Sequence, residues 1–226
     1  MFSGARNSAG TALYASFPYD AGVSGAGWAQ WKQSNSITLD PAAAALTFTT
    51  PPQSASLLSQ LSSYALNFSM DADAPKIFAT SGAYTESSWS FMTPPDETNL
   101  SALKQRGAKL MVYHGTSDPV FSSNDTTDWY QRLMAANGGD ASNFARLYTV
   151  AGMNHCSVGP AADQFDMLTP MVAWVEQGKA PDSVIATARD ASNPIPNSEV
   201  PADWGAGRTR PLCPYPKMAR YKVAPE

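Results

Sequence analysis

Lys109-Leu-Met-Val-Tyr-His-Gly-Thr-Ser-Asp-Pro119 is the stretch that decides the fold. Its opening run to Tyr113 reads as a buried strand of a parallel sheet, apolar on both faces. A loop carrying Asp118 follows at once. Ser122 or Ser123 then caps a helix running to about Ala136, with Trp129, Leu133 and Ala136 on one face. Asn137-Gly-Gly139 ends it. Arg146 to Val150 reads as a second strand, and Gly152-Met-Asn-His-Cys156 as the loop after it. Phe165, Leu168, Val172 and Val175 mark a further helix, stopped by Gly178, with Pro170 in its first turns or kinking it. The order is strand, Asp loop, helix, strand, His loop, helix. That is the closing half of a doubly wound α/β sheet, whose ligand sites lie beyond the carboxyl ends of the strands.

Upstream, Asn99 to Arg106 reads as a short helix stopped by Gly107. Residues 1–95 are rich in Ser, Ala, Thr, Gly and aromatics, and read as loop-rich structure decorating another body. Within them, Leu39 to Thr50 forms a short helix or strand ended by Pro51-Pro52. Residues 54–67 have roughly helical spacing. From residue 190 onward, Pro194, Pro196, Pro201, Pro211, Pro214 and Pro216 suggest a segment that wraps a surface rather than builds a core.

Only two histidines exist, His114 and His155. A hydrolytic triad needs a histidine as proton shuttle and a carboxylate to orient it. Asp118 after one strand and His155 after the next can supply both, in the α/β-hydrolase order of acid before base. The alternative is that Asp118 caps a Ser-Asp-Pro turn and His155 is an ordinary loop histidine. His114 suits packing or a loop hydrogen bond. A nucleophile elbow reads Gly-x-Ser-x-Gly between strand and helix. The nearest match, Gly22-Val-Ser-Gly-Ala26, lacks the second glycine and a preceding strand. Ser117 and Ser157 flank the acid and base but sit on no elbow. Cys156, adjacent to His155, is poorly aimed for attack.

The composition limits the remaining choices. With 226 residues, 43% hydrophobic and 15% charged, the chain can bury a real core. Its net charge of −4 and scattered basic residues argue against nucleic-acid and membrane-surface binding. No apolar run is long enough to span a bilayer, and Met1 to Gly10 does not read as a signal peptide. Metal patterns are missing: His155-Cys156 is not a zinc pair, and Asp71-Ala-Asp73 is too short for an EF-hand loop. No cofactor is implied by these residues. Cys156 and Cys213 are either one disulfide or two free thiols.

Four segments carry a resemblance. Lys109 to Phe121, Gly152 to Cys156, Phe165-Asp-Met-Leu with Val172-Ala-Trp-Val-Glu-Gln-Gly-Lys-Ala-Pro181, and Arg208-Thr-Arg-Pro-Leu-Cys-Pro-Tyr-Pro216 resemble, in order, the tannase and feruloyl esterase family. They span most of residues 105–221. The resemblance implies the C-terminal part of an α/β-hydrolase sheet, residues 86–226, and the loop-rich remnant of an inserted lid, residues 1–85. It implies Asp118 as catalytic acid and His155 as base in a Ser-His-Asp carboxylic ester hydrolase of phenolic acyl esters. Phe121 resembles an aromatic lining the acyl pocket. Trp28 either covers an aromatic substrate or packs the lid core.

By the same resemblance, Cys156 pairs with a cysteine just before the catalytic serine, and Cys213 with one further downstream. Both partners are missing here. So are the serine elbow, the upstream oxyanion donor and the lid's calcium loop. The expectation is an inactive piece of a secreted or periplasmic enzyme that needs an N-terminal segment. Alone it would expose a sheet edge and dissolve poorly. The competing readings are a non-catalytic module that binds phenolic ligands and one half of a split enzyme. Gallate, ferulate and terephthalate esters all remain open as substrates.

Overall fold

The computed structural model describes residues 2–220; residue 1 and residues 221–226, the end of the proline-rich tail, lie outside the described residues. The chain divides into two compact units, Met1–Phe17 with Ala29–Glu97, and Pro18–Trp28 with Thr98–Glu226. The division falls after Glu97, where the sequence set it at residue 85. It also groups Pro18–Trp28, expected with the first part, with the second.

The first unit is a set of short helical turns. Residues 30–48 alternate between α- and π-helical turns and end before Pro51-Pro52. The helical spacing over residues 54–67 resolves into two pieces, a 3-10 turn at Ala55–Ser59 and an α-helix at Leu61–Asn67. Ser54 caps the first by accepting from the Ser56 amide. Ala45 and Thr49 are buried at the centre, and the Thr49 hydroxyl donates to the carbonyls of Ala44 and Ala45.

After the Pro18–Trp28 segment, with its 3-10 turn at Ala21–Ser24, the second unit resumes with α1 (Ser101–Gln105) and β1 (Leu110–Gly115), continues through α2 (Ser123–Ala136) to β2 (Ala145–Val150), and then runs through β3 (Gln164–Phe165), α3 (Leu168–Gln177), β4 (Val184–Thr187) and β5 (Thr209–Leu212). β1 and β2 pair in parallel, with Leu110 opposite Ala145 and Gly115 opposite Val150. Side chains alternate across a strand, and β2 uses that alternation to join two cores. Ala145 and Leu147 pack with Tyr130 and Leu133 of α2 and with Phe144. Tyr148 and Val150 pack on the other face with Met153, Val184, Ala186 and Leu212. Ser122 caps α2 by accepting from the Asn124 amide.

Two expectations need correction. Phe165 does not begin the third helix. The Asp166 carboxylate accepts from the amides of Leu168 (2.8 Å) and Thr169 (3.0 Å), so it starts α3 at Leu168 and leaves Phe165 in β3. Pro170 then falls in the first turn, where its missing N–H costs nothing. The proline-rich tail also does more than wrap a surface. β5 pairs antiparallel with β4, and β4 with β3. Leu212 is buried, and Val200 and Trp204 pack against the same cluster. Pro211 is tolerated because β5 is an edge strand.

Candidate active site

The carboxyl ends of β1 and β2 bring the two expected residues together. His155 Nδ1 lies 2.9 Å from Asp118 Oδ2, although the residues are 37 apart in sequence. This contact requires Nδ1 to carry the proton. The other oxygen, Asp118 Oδ1, accepts from the amides of Val120 (2.8 Å) and Phe121 (3.0 Å). The carboxylate is therefore fixed in rotation, with one oxygen directed at the imidazole. The loops approach so closely that a side chain at Gly115 would collide with the Met153 carbonyl.

His114 serves the loop. Its Nε2 donates to the Phe121 carbonyl (3.1 Å) and lies 3.4 Å from Asp118 Oδ2. Its Nδ1 accepts from Thr126 Oγ1 (2.7 Å). Asp118 is buried, and burial opposes its ionisation. Hydrogen bonds from His114, His155 and the amides of Phe121 and Val120 outweigh that, and hold its carboxyl below the usual carboxylate value of 3.8.

The unfolded chain binds this proton at higher pH than the folded one. The contribution is complete above the unfolded value and falls away as pH drops through the folded one. We expect denaturant titrations at pH 5 and pH 3 to show a smaller acid loss for Asp118→Asn than for the parent chain. An equal loss in both would show that Asp118 is not linked to acid stability.

The Phe121 ring is more than half exposed and stands 5.6 Å from the His155 ring. Trp28 is buried in the second unit, not exposed on the first. Cys156 is exposed and Cys213 half-buried, and both are free thiols. Ser117 Oγ is buried and committed to Asp20, and Ser24 Oγ donates to the Ala21 carbonyl on a 3-10 turn. Neither stands on a strand-to-helix elbow. Among the described residues, no three His, Cys, Asp or Glu side chains gather as a metal-binding group.

Several residues escaped the sequence reading. Asp20 accepts from both loops. Its only local signal is that it is the sole charge between Arg6 and Lys32. Glu199 accepts from the amides of Gly27 (3.0 Å) and Gly159 (3.0 Å). Asn154 is fully buried; with its oxygen turned to Trp28 it accepts from that amide and donates to the Ser117 carbonyl. Asp163 and Arg189 form a buried ion pair, and Asp163 also accepts from the Val158 amide (2.8 Å). That pair supports a turn in which Cys156 and Val158 hold φ values of 66° and 58°, unfavourable for residues with a Cβ. A cavity of about 410 Å³ is bordered by Asp20, Gly152, Trp204 and Arg210. Neither Asp118 nor His155 lines it.

A parallel strand pair carries the Asp118 and His155 loops at its carboxyl end. Comparison of folds gives neighbours of the α/β-hydrolase type. The chain is similar to the crystal structure of feruloyl esterase B from Aspergillus oryzae, with a TM-score of 0.54 and 20% identity, over 100% of this chain and 42% of that one. A second Aspergillus oryzae esterase gives a TM-score of 0.51 at 20% identity, over 95% of this chain and 40% of that one.

Residues 2–225 match the family described as tannase and feruloyl esterase, and the chain belongs to that family. It is 45% identical to the mono(2-hydroxyethyl) terephthalate hydrolase of Piscinibacter sakaiensis over 97% of this chain and 37% of that protein. It is 32% identical to feruloyl esterase B of Aspergillus niger over 54% of this chain and 24% of that protein. The chain thus spans well under half the length of these relatives. Family members are carboxylic ester hydrolases. Among the described residues, no helix is long and apolar enough to cross a membrane.

Proposed function

We propose that this chain supplies the acid and base of a serine-type esterase acting on aromatic acyl esters. The serine and oxyanion donors come from a segment outside these 226 residues. The observation that carries this is the 2.9 Å contact from His155 to a carboxylate already held by two amides. In such a pair the carboxylate fixes the tautomer and stabilises the imidazolium, while Nε2 takes the proton from the attacking hydroxyl. The acyl-enzyme is then released by water activated at the same nitrogen. Phe121, exposed beside His155, offers a face for an aromatic acyl group. The first unit, with its short helical turns, is read as the remnant of a lid. Cys156, exposed beside His155, suits a disulfide to the nucleophile segment, and such bonds persist in secreted or periplasmic proteins.

The purified chain is expected not to turn over p-nitrophenyl or hydroxycinnamate esters. Co-expression with the N-terminal segment of the terephthalate relative is expected to restore turnover. Hydrolysis by the chain alone that Ser24→Ala abolishes would overturn the external nucleophile. Saturable phenolic binding without turnover in the reassembled protein would point instead to a binding module.

A further inference from the structure

We propose that Asp20 is the positioning residue that holds the acid loop and the base loop in register. The inference rests on the reading of Asp118 and His155 given above and adds a residue that touches neither. A single oxygen, Asp20 Oδ2, accepts from Thr116 Oγ1, from Ser117 Oγ (2.7 Å) and from the Gly152 amide (2.9 Å). Thr116 and Ser117 immediately precede Asp118, and Gly152 lies just before His155. One carboxylate oxygen therefore anchors both loops, close to the residue that each must present.

The surrounding contacts give this oxygen leverage. The loops also bond to each other directly. The Thr116 amide donates to the Val150 carbonyl (3.0 Å), and the Ser117 amide to the Met153 carbonyl (3.1 Å). The Gly152 amide is shared with Thr116 Oγ1 (3.1 Å). Asp20 is held in its own place by the next turn, where the Gly22 amide donates to Ser117 Oγ (3.0 Å). A side chain at Gly22 would collide with Ser117, so that turn can dock only as glycine. Burial opposes a charge at Asp20. The bonds from Thr116, Ser117, Gly152 and Ala21 outweigh it and keep the carboxyl below its usual value, so it accepts as an anion.

All three donors sit on backbone or short side chains with little freedom. Without that acceptor the buried Ser117 hydroxyl loses its partner, Thr116 and Gly152 keep only their longer bonds to the Val150 carbonyl (3.3 Å) and Thr116 Oγ1 (3.1 Å), and the tie that Asp20 adds to the direct loop-to-loop bonds is lost. A catalytic pair displaced by about 1 Å can lose on the order of 100-fold in rate. Asp20 contacts no reacting atom, so its effect reaches the chemistry only through the geometry of His155 and Asp118.

The chain's two histidines make the test readable by nitrogen-resolved NMR. In the parent chain, the His155 Nδ1 proton is expected as a downfield, solvent-protected signal, with His114 protonated on Nε2. In Asp20→Ala, exchange of the His155 proton is expected to quicken by about tenfold, the factor set by the net loss of roughly one hydrogen bond. The circular dichroism should be unchanged. Asp20→Asn, which keeps one oxygen but not the charge, should fall between the two.

In the reassembled enzyme, Asp20→Ala should lower kcat by about 10- to 100-fold with KM nearly constant. Unchanged proton protection in Asp20→Ala overturns the proposal, as does a rise in KM at constant kcat. Where Asp20→Ala unfolds, Asp20→Asn and Thr116→Val read the same proton, and no change in either overturns it equally. A parent chain with no protected His155 proton would instead overturn the acid–base reading.

Discussion

Asp118→Asn in the reassembled esterase is expected to lower kcat by about 10⁴-fold. An asparagine keeps the size of the side chain and can still receive the amides of Val120 and Phe121. The oxygen that accepts from His155 Nδ1 would become an NH₂ group. A donor facing Nδ1 favours the tautomer with its proton on Nε2, which cannot take a proton from a serine. The NH₂ also meets His114 Nε2, at 3.4 Å, where a second donor stands. The loss should appear in kcat, because the substrate does not touch this carboxylate in the proposed mechanism. His155→Ala should lose at least as much, and the double variant little more than either alone, since the two act as a unit. Steady-state kinetics on an aromatic ester will decide this. A loss below tenfold in Asp118→Asn would remove Asp118 from the mechanism.

Arg189→Met is expected to destabilise the second unit by about 3 kcal/mol or more, the cost typical of stranding one partner of a buried ion pair. Asp163 is the partner that would be left behind, and its side chain is fully buried. Arg189 Nε and Nη2 both reach it, and Arg189 Nη1 donates to the Ile195 carbonyl (3.1 Å). The same carboxylate receives the Val158 amide. The variant therefore also weakens the turn after His155, where Cys156 and Val158 are held at positive φ. Asp163→Asn with Arg189→Met leaves no buried charge and should recover part of the loss. Chemical denaturation of the single and double variants measures both effects. A single variant within 0.5 kcal/mol of the parent, the range of ordinary surface substitutions, would show the pair to be unimportant.

How much of this was legible depends on the distance between partners. Leu110 to Val150 could be read because each signal is local: an apolar run for β1, Ser122 before α2, Asn137 and two glycines after it. The positions of Asp118 and His155 after successive strands were legible, but position alone left a turn cap and an ordinary loop histidine equally open; the resemblance is what paired them, and the structure brings them to 2.9 Å. Phe165 was misplaced because its apolar spacing continued that of α3, while the Asp166 cap sets the true start. β4 and β5 were missed because each is only four residues long and flanked by loops, and their pairing depends on contacts across more than twenty residues. Asp20 and Glu199 were invisible for the same reason. Their donors lie far along the chain, and a carboxylate in a loop looks the same whether it faces solvent or staples two strands.

The strand–helix–strand unit from Leu110 to Val150 carries both Asp118 and His155 on its trailing loops. Seen as inheritance, the proton relay of the proposed mechanism is a portable cassette. Crossovers that exchange residues 109–178 between relatives would move acid and base together, with their spacing intact. Such a graft would still be incomplete. The brace at Asp20, and the second one at Glu199, lie outside the cassette on either side. Chimeras that keep the recipient's residues at those two positions would be compatible only where the recipient also presents a carboxylate there. For this chain, the fragment to transplant would then be defined by its braces as well as by its reactive groups.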